Sequence, residues 1–159
     1  DMDMLIVGLD GKGGPSSDLG GIGCSYTEYQ TQMSMWCMFA SPLAMSHDIL
    51  NENEATRHIL LNKEIIAINQ DALGDIARRI NYPGTCRIYL RKLSGNRQAL
   101  AIMNPSDKPQ RLQFPLSIIG KETQYTLKDV WEHTTTRPLR TWKGTLQPHE
   151  TKVFIVKAP

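Results

Sequence analysis

The spacing of apolar positions along the chain changes near Ala72. Before it, Tyr29, Met33, Trp36, Cys37 and Ala40 recur at intervals of three and four, the pattern of one buried helix face. Thr27, with Gln30 three residues later, reads as the capping box that opens this helix. Ser41-Pro42 closes it, because the residue before a proline is pushed out of the helical region. The Met/Trp stripe reads as core packing rather than as a cofactor box. Leu43 to Ser46 is a short apolar run that ends in polar Ser46-His47-Asp48, which predicts a buried strand with polar residues at its carboxyl end. Asn51 or Asn53 then caps a helix through Leu61, and Asn62 caps a second over Lys63 to Asn69. Strand and helix alternate in this part, as they do in a parallel sheet or barrel.

After Ala72 the period drops to two. Runs at Ile76–Ile80, Cys86–Lys92, Gln98–Met103, Gln110–Leu116, Thr126–Trp131, Arg140–Trp142 and Lys152–Val156 are separated by turn sequences such as Tyr82-Pro83-Gly84, Ser94-Gly95-Asn96 and Gln147-Pro148-His149. Seven short strands at this spacing predict an antiparallel β-sandwich. The fold class expected is therefore α/β plus all-β. Residues 1–73 form one unit and residues 74–159 the other.

Charge divides at the same place. Residues 1–73 carry 3 Lys/Arg and 10 Asp/Glu, whereas residues 74–159 carry 15 and 6. A basic half can mark a nucleic-acid binder. Here Arg87, Arg91, Arg97 and Arg111 are scattered over successive strands with no recognition motif, which fits better the solvated face of an antiparallel sheet, or one docked on the acidic half. No apolar run approaches the length needed to cross a bilayer, so no membrane partner is expected. No leader is visible before Asp1. Since the chain opens in the middle of a pattern, localisation and oligomeric state are left open. Cys24, Cys37 and Cys86 are odd in number and lack metal-ligand spacing, so neither a disulfide framework nor a metal or cofactor site is expected.

Candidate chemistry is confined to strand ends and loops. Asp1 and Asp3 would share one face of a strand leading into Leu5-Ile6-Val7, and two like charges there suit a polar cleft. Asp48 follows the next predicted strand, and α/β folds place their sites at such ends. Paired carboxylates fit glycoside hydrolysis. His47 beside Asp48 is no dyad, because neighbours on a strand face opposite ways, and His133 and His149 fall in turns as solvated residues. The seven glycines of residues 8–25 match no phosphate-loop pattern and read as a surface loop or site rim.

Several segments, in order, resemble a known family. They are Asp1-x-Asp3-Met4-Leu5-x-Val7-Gly8, Thr27-Glu28-Tyr29-x-x-Gln32-Met33-x-x-Trp36, Ala40-Ser41-Pro42-Leu43, Asp48, and Asn62 through Asn69-Gln70-Asp71-x-Leu73-Gly74. The end of the chain, Asp129-Val130-Trp131 through Leu146-x-Pro148-His149 to Val153-Phe154, continues the likeness. Together they are similar to the carboxyl-terminal third of family 27 glycoside hydrolases, the α-galactosidases. The resemblance implies the last β/α units of a (β/α)8 barrel followed by an antiparallel sandwich. It implies a retaining enzyme acting on terminal α-galactosides, with sugars rather than nucleic acid or membrane as partners.

The family's nucleophile and acid/base aspartates lie upstream of the matched part, so no catalytic residue is assigned here, and the isolated chain is expected to be inactive. Asp3 and Met4 match the pair that ends the seventh strand and lines the galactose pocket, and Asp1 matches the aspartate before them. Met2 stands where the family usually has proline, and the Gly-rich loop resembles an insertion at the barrel mouth. On this reading strand seven ends near Met4, with Leu5 to Gly8 running into the loop. The competing expectation is a non-catalytic β-sandwich binding module with an α-helical annex that stacks sugar rings on Trp131 and Trp142, although core packing is the favoured reading of both residues.

Overall fold

A computed structural model describes residues 2–12 and 23–158. Three helices, α1 (Tyr26–Met38), α2 (Glu54–Leu60) and α3 (Lys63–Asn69), precede seven strands. The strands are β1 (Arg78–Ile80), β2 (Arg87–Leu93), β3 (Arg97–Met103), β4 (Gln110–Pro115), β5 (Thr126–Asp129), β6 (Thr141–Leu146) and β7 (Thr151–Lys157). Every strand expected from the period-two runs is present. They form a five-stranded antiparallel sheet in the order β1-β2-β3-β7-β5 and a two-stranded sheet, β4-β6.

The five-stranded sheet is buried on both faces, and the sequence of β3 shows how. Ala99 and Ala101 point toward the helices, where their small side chains let α1 approach. Leu100 and Ile102 point the other way, into the core shared with Phe114, Trp142 and Leu146 of the two-stranded sheet. In β7, Val153 and Phe154 divide in the same manner. Each fully buried Leu, Ile or Phe contributes about 1.5–3 kcal/mol by leaving water. The helices, the five-stranded sheet and the two-stranded sheet thus stack as three layers around two cores.

Helix α1 lies between that sheet and a short parallel pairing of Leu5 with Met45. Ser34, Met35 and Met38 are buried along with Tyr29, Met33 and Cys37, so apolar packing reaches beyond the single stripe that the spacing predicts. Its capping box also lies two residues upstream of the expected one. Ser25 is the N-cap, the Ser25 Oγ accepts from Glu28 N, and the Glu28 carboxylate accepts from Ser25 N at 2.7 Å. Glutamate reaches back as a charged acceptor, so Ser25-x-x-Glu28 outcompetes Thr27-x-x-Gln30. Asn53 and Asn62 cap α2 and α3, as the sequence predicts.

The parallel pairing falls at Leu5, within one residue of the expected strand end near Met4, and Val7 and Gly8 already lie in a turn. Two further expectations are corrected. The Leu43–Ser46 run is no buried strand: Ala44 and Met45 are exposed, and only Met45 takes part in a bridge. Arg91 does not lie on a solvated face. It is fully buried on the helix side of β2, because its register partner Ala99 leaves room for the guanidinium.

Candidate functional site

The Leu5–Met45 bridge, fixed by Leu5 N donating to Ala44 O at 2.7 Å and Ser46 N donating to Leu5 O at 3.1 Å, sets two chain segments running the same way. Beyond it both segments turn outward. Gly8 makes this possible: its φ is +84°, and a β-carbon there would meet Thr56 Cγ2 at 2.6 Å. A cleft of about 330 Å3 opens between the segments, lined by Gly8, Asp10, Lys12, Ser46, Asp48, Asn51 and Asn53 among others.

The cleft's polar groups hold one another. Asn53 Nδ2 donates to Asp10 Oδ2 at 3.3 Å, and Asp10 N donates to the Tyr29 hydroxyl at 2.8 Å. Asp48 caps the 3-10 turn Ile49–Asn51, accepting from Leu50 N at 3.0 Å and from Asn51 Nδ2 at 2.6 Å. The Asn51 amide, then the Leu50 N–H, hold its carboxyl below the usual carboxylate range. Asp48 is thus an ionised acceptor rather than a proton donor at neutral pH. His47 turns inward and meets Glu52, Nε2 to Oε2 at 3.0 Å, so it pairs with Glu52 and not with its neighbour Asp48.

Asp3 and Met4 lie just before the bridge. The Asp3 carbonyl accepts from Trp36 Nε1 at 2.7 Å, its carboxylate accepts from Met4 N at 2.8 Å, and the Met4 side chain is exposed. Asp1 falls outside the described residues, as does most of the Gly-rich loop. The structure brings Asp10, Asn51 and Asn53 into the cleft, a role the sequence reading did not give them. The polar run Ser46 to Asn53 after an apolar segment was the available signal. Carboxylates and amides in this arrangement can accept from and donate to the hydroxyls of a polyol. Among the described residues no group of three or more His, Cys, Asp and Glu could hold a metal ion.

The turn histidines are not simply solvated. His133 Nδ1 meets Glu64 Oε1 at 3.0 Å. His149 joins Glu28 at 2.8 Å and Asp107 at 2.9 Å through its two ring nitrogens. Trp131 and Trp142 are both buried, the first donating Nε1 to Ser34 Oγ and the second stacked on Phe114, which leaves neither ring face free for a sugar.

Two family descriptions match the chain in succession. Residues 3–71 match α-galactosidase A, and residues 83–156 match the α-galactosidase C-terminal β-sandwich domain. Alpha-galactosidase 3 of Arabidopsis thaliana is 35% identical over 121 residues, covering 73% of this chain and 28% of its own length. A crystal structure of a candidate α-galactosidase/melibiase from Bacteroides fragilis is 35% identical with a TM-score of 0.88, covering 98% of this chain and 33% of that one. A family 27 β-L-arabinopyranosidase from Geobacillus stearothermophilus, solved with arabinose, shares the fold at 22% identity and a TM-score of 0.85, covering 100% of this chain and 37% of its own. The chain spans about a third of the length of the relatives it matches. Its helices and parallel bridge are the last β/α units of a TIM barrel, and its strands are the sandwich that follows. The chain belongs to the α-galactosidases of glycoside hydrolase family 27.

Proposed function

We propose that this chain supplies the carboxyl-terminal part of a retaining α-galactosidase that releases terminal α-D-galactosyl residues from glycosides or oligosaccharides. Residues 1–73 complete the catalytic barrel and residues 74–159 form the sandwich domain. The observation that carries this reading is the pair of matches, barrel and then sandwich, in one chain that also retains a parallel bridge beside antiparallel sheets.

In this reading Asp1, Asp3 and Met4 line the galactose pocket. Carboxylate oxygens accept hydrogen bonds from sugar hydroxyls, each worth about 1.5–3 kcal/mol when charge-assisted. The Met4 side chain, exposed and polarisable, offers an adaptable surface to an apolar sugar face. The nucleophile and the acid/base are supplied by other parts of the enzyme. Residues 1–159 alone therefore bind no transition state and hydrolyse nothing.

The test is turnover of a nitrophenyl α-galactoside by the full-length gene product that carries this chain, beside the isolated 159 residues. Hydrolysis by the first and none by the second is expected. Asp3→Ala in the active product is expected to raise KM by about tenfold or more, the loss of one or two charge-assisted bonds. Turnover by the isolated chain, or an Asp3→Ala enzyme with unchanged kinetics, overturns the assignment.

A further inference from the structure

The carboxyl-terminal turn of α1 touches both the sandwich and the segment that carries Asp3. Three groups hold this turn from outside. Ala77 N donates to Met38 O at 2.9 Å, Asn69 Nδ2 donates to Ser41 O at 2.8 Å, and Arg91 Nη1 donates to Cys37 O. The same turn holds the Asp3 segment from its other side. Trp36 Nε1 donates to Asp3 O at 2.7 Å, and Met2 N donates to Ser41 Oγ at 3.4 Å. Cys37 follows Trp36 directly, so the carbonyl that Arg91 grips and the indole that grips Asp3 belong to adjacent residues.

Arg91 is an unexpected residue in this place. It is the largest fully buried side chain among the described residues, and its Nε and Nη2 have no hydrogen-bond partner there. Packing alone would be served better by an apolar side chain, since burying a charge is costly unless the charge does something specific. Two features suit it to a helix end. The last turn of α1 has no basic residue of its own, and a cation there complements the helix dipole and the free carbonyls. Burial pulls the guanidinium below the ordinary arginine range, and Asp71 and Asp75 lie close enough to counter part of that.

We propose that Arg91 is a positioning residue for the sugar pocket: from within the sandwich it fixes the carboxyl turn of α1, and through Trp36 that turn fixes Asp3. The proposal rests on the reading of Asp3 as a galactose-binding residue. It gives the sandwich a defined role in substrate binding. Ser41 and Asn69 support the same turn from the barrel side.

The test has two independent readouts. In the isotope-labelled 159-residue chain, Trp36, Trp131 and Trp142 give three indole N–H signals. Arg91→Met, which keeps an unbranched apolar stem but removes the donors, is expected to reduce the hydrogen-exchange protection of the Trp36 indole by about tenfold, the scale of one lost hydrogen bond. The Trp131 and Trp142 signals, one bonded to Ser34 and one inside the sandwich, are expected to keep theirs if the fold is intact. Arg91→Lys, which retains a donor, is expected to restore most of the protection. In the active full-length product, Arg91→Met is expected to raise KM about fivefold with kcat within twofold, and Arg91→Lys to recover most of it.

If Arg91→Met unfolds the chain, Arg91→Leu, equally without a donor, takes its place, and the same loosening of the Trp36 indole is expected. Unchanged Trp36 protection in a folded Arg91 variant that lacks the donor overturns the proposal. An Asp3→Ala enzyme with unaltered KM, alongside a Trp36 indole loosened by Arg91→Met, instead refutes the pocket reading and leaves the mechanical link standing.

Discussion

The two faces of the five-stranded sheet are closed in different ways. On the sandwich face, Leu100, Ile102, Leu127, Phe154 and Val156 meet Phe114, Trp142 and Leu146 in an apolar core, and the cross-layer bonds, from Tyr82 to Gln113 O, Gln98 to Ile119 O and Asn104 to Leu146 O, lie around it rather than through it. On the helix face, the apolar contacts of Met33, Cys37, Ile65, Ala101 and Val153 are interrupted by polar side chains that each reach a backbone or hydroxyl partner across the layers. Arg91 reaches Cys37 O, Asn62 reaches Val130 O, Trp131 reaches Ser34, and Thr31 reaches His149 O and Thr151. A face closed by volume tolerates small slippage. A face closed by directed bonds has one register, because any shift leaves buried groups unpaired. The helix face is the one that must hold a binding site in place.

The largest effect that can break this comparison is expected on the sandwich face. Phe114 is fully buried between the rings of Tyr82 and Trp142, whose centroids lie 5.8 and 5.6 Å away. Phe114→Ala is expected to cost about 3–5 kcal/mol, read from urea denaturation. A cost below about 1 kcal/mol would show that this core can collapse around the cavity, contrary to its description as volume-filled.

On the helix face the test is chemical rather than volumetric. Asn62 Oδ1 accepts from Glu64 N and Ile65 N as the cap of α3, and its Nδ2 donates to Val130 O at 2.9 Å. Asn62→Ala removes a cap and strands a buried carbonyl, at a combined cost of about 2–3 kcal/mol. Asn62→Ser keeps a capping oxygen and loses the cross-layer donor without adding a charge. Equal destabilisation by the two variants would assign the energy to the link with Val130; a much milder effect of Asn62→Ser would assign it to the cap.

The same contrast explains what could be read from the sequence. The seven strands were legible because each repeats every two residues and is bounded by Gly, Pro or Asn turns. Asn53 and Asn62 were legible as caps because capping is local. The barrel units and the family were legible from ordered segments such as Asn62 through Asp71. What escaped were the links between distant segments. Arg91 looked like one more solvated strand arginine, since nothing in its own strand records that Ala99 opposite is small and that a helix end lies beyond. Likewise, His149 looked solvated because its partners, Glu28 and Asp107, are 121 and 42 residues away. Asp10, Asn51 and Asn53 escaped as cleft residues because their convergence depends on the Leu5–Met45 pairing, a single bridge with no periodic pattern behind it.

The smallest expected effect lies at the rim between the layers, where the His149 ring joins Glu28 at the start of α1 to Asp107 in the β3–β4 connection. Only the protonated ring can donate from both nitrogens to two carboxylates. The hydrogen bond to Glu28, then that to Asp107, raises its pKa above the ordinary 6.5. The folded pKa exceeds the unfolded one, so the clamp's contribution is full below about pH 6.5 and is lost as pH rises through the raised value. Glu28 acts in the opposite sense: the Ser25 N–H and hydroxyl, aided by His149, hold its carboxyl low, so its contribution fades only as pH falls into the acid range. His149→Asn tests the clamp without straining the backbone, since φ is +58° there and asparagine tolerates that region. The difference in Tm between the native chain and this variant is expected to be greatest near pH 5.5–6.5 and to vanish at alkaline pH, with salt reducing it throughout because the ring is partly exposed. A difference independent of pH would mean that His149 joins the layers through its backbone carbonyl, which Thr31 already engages, and that its ring plays no part.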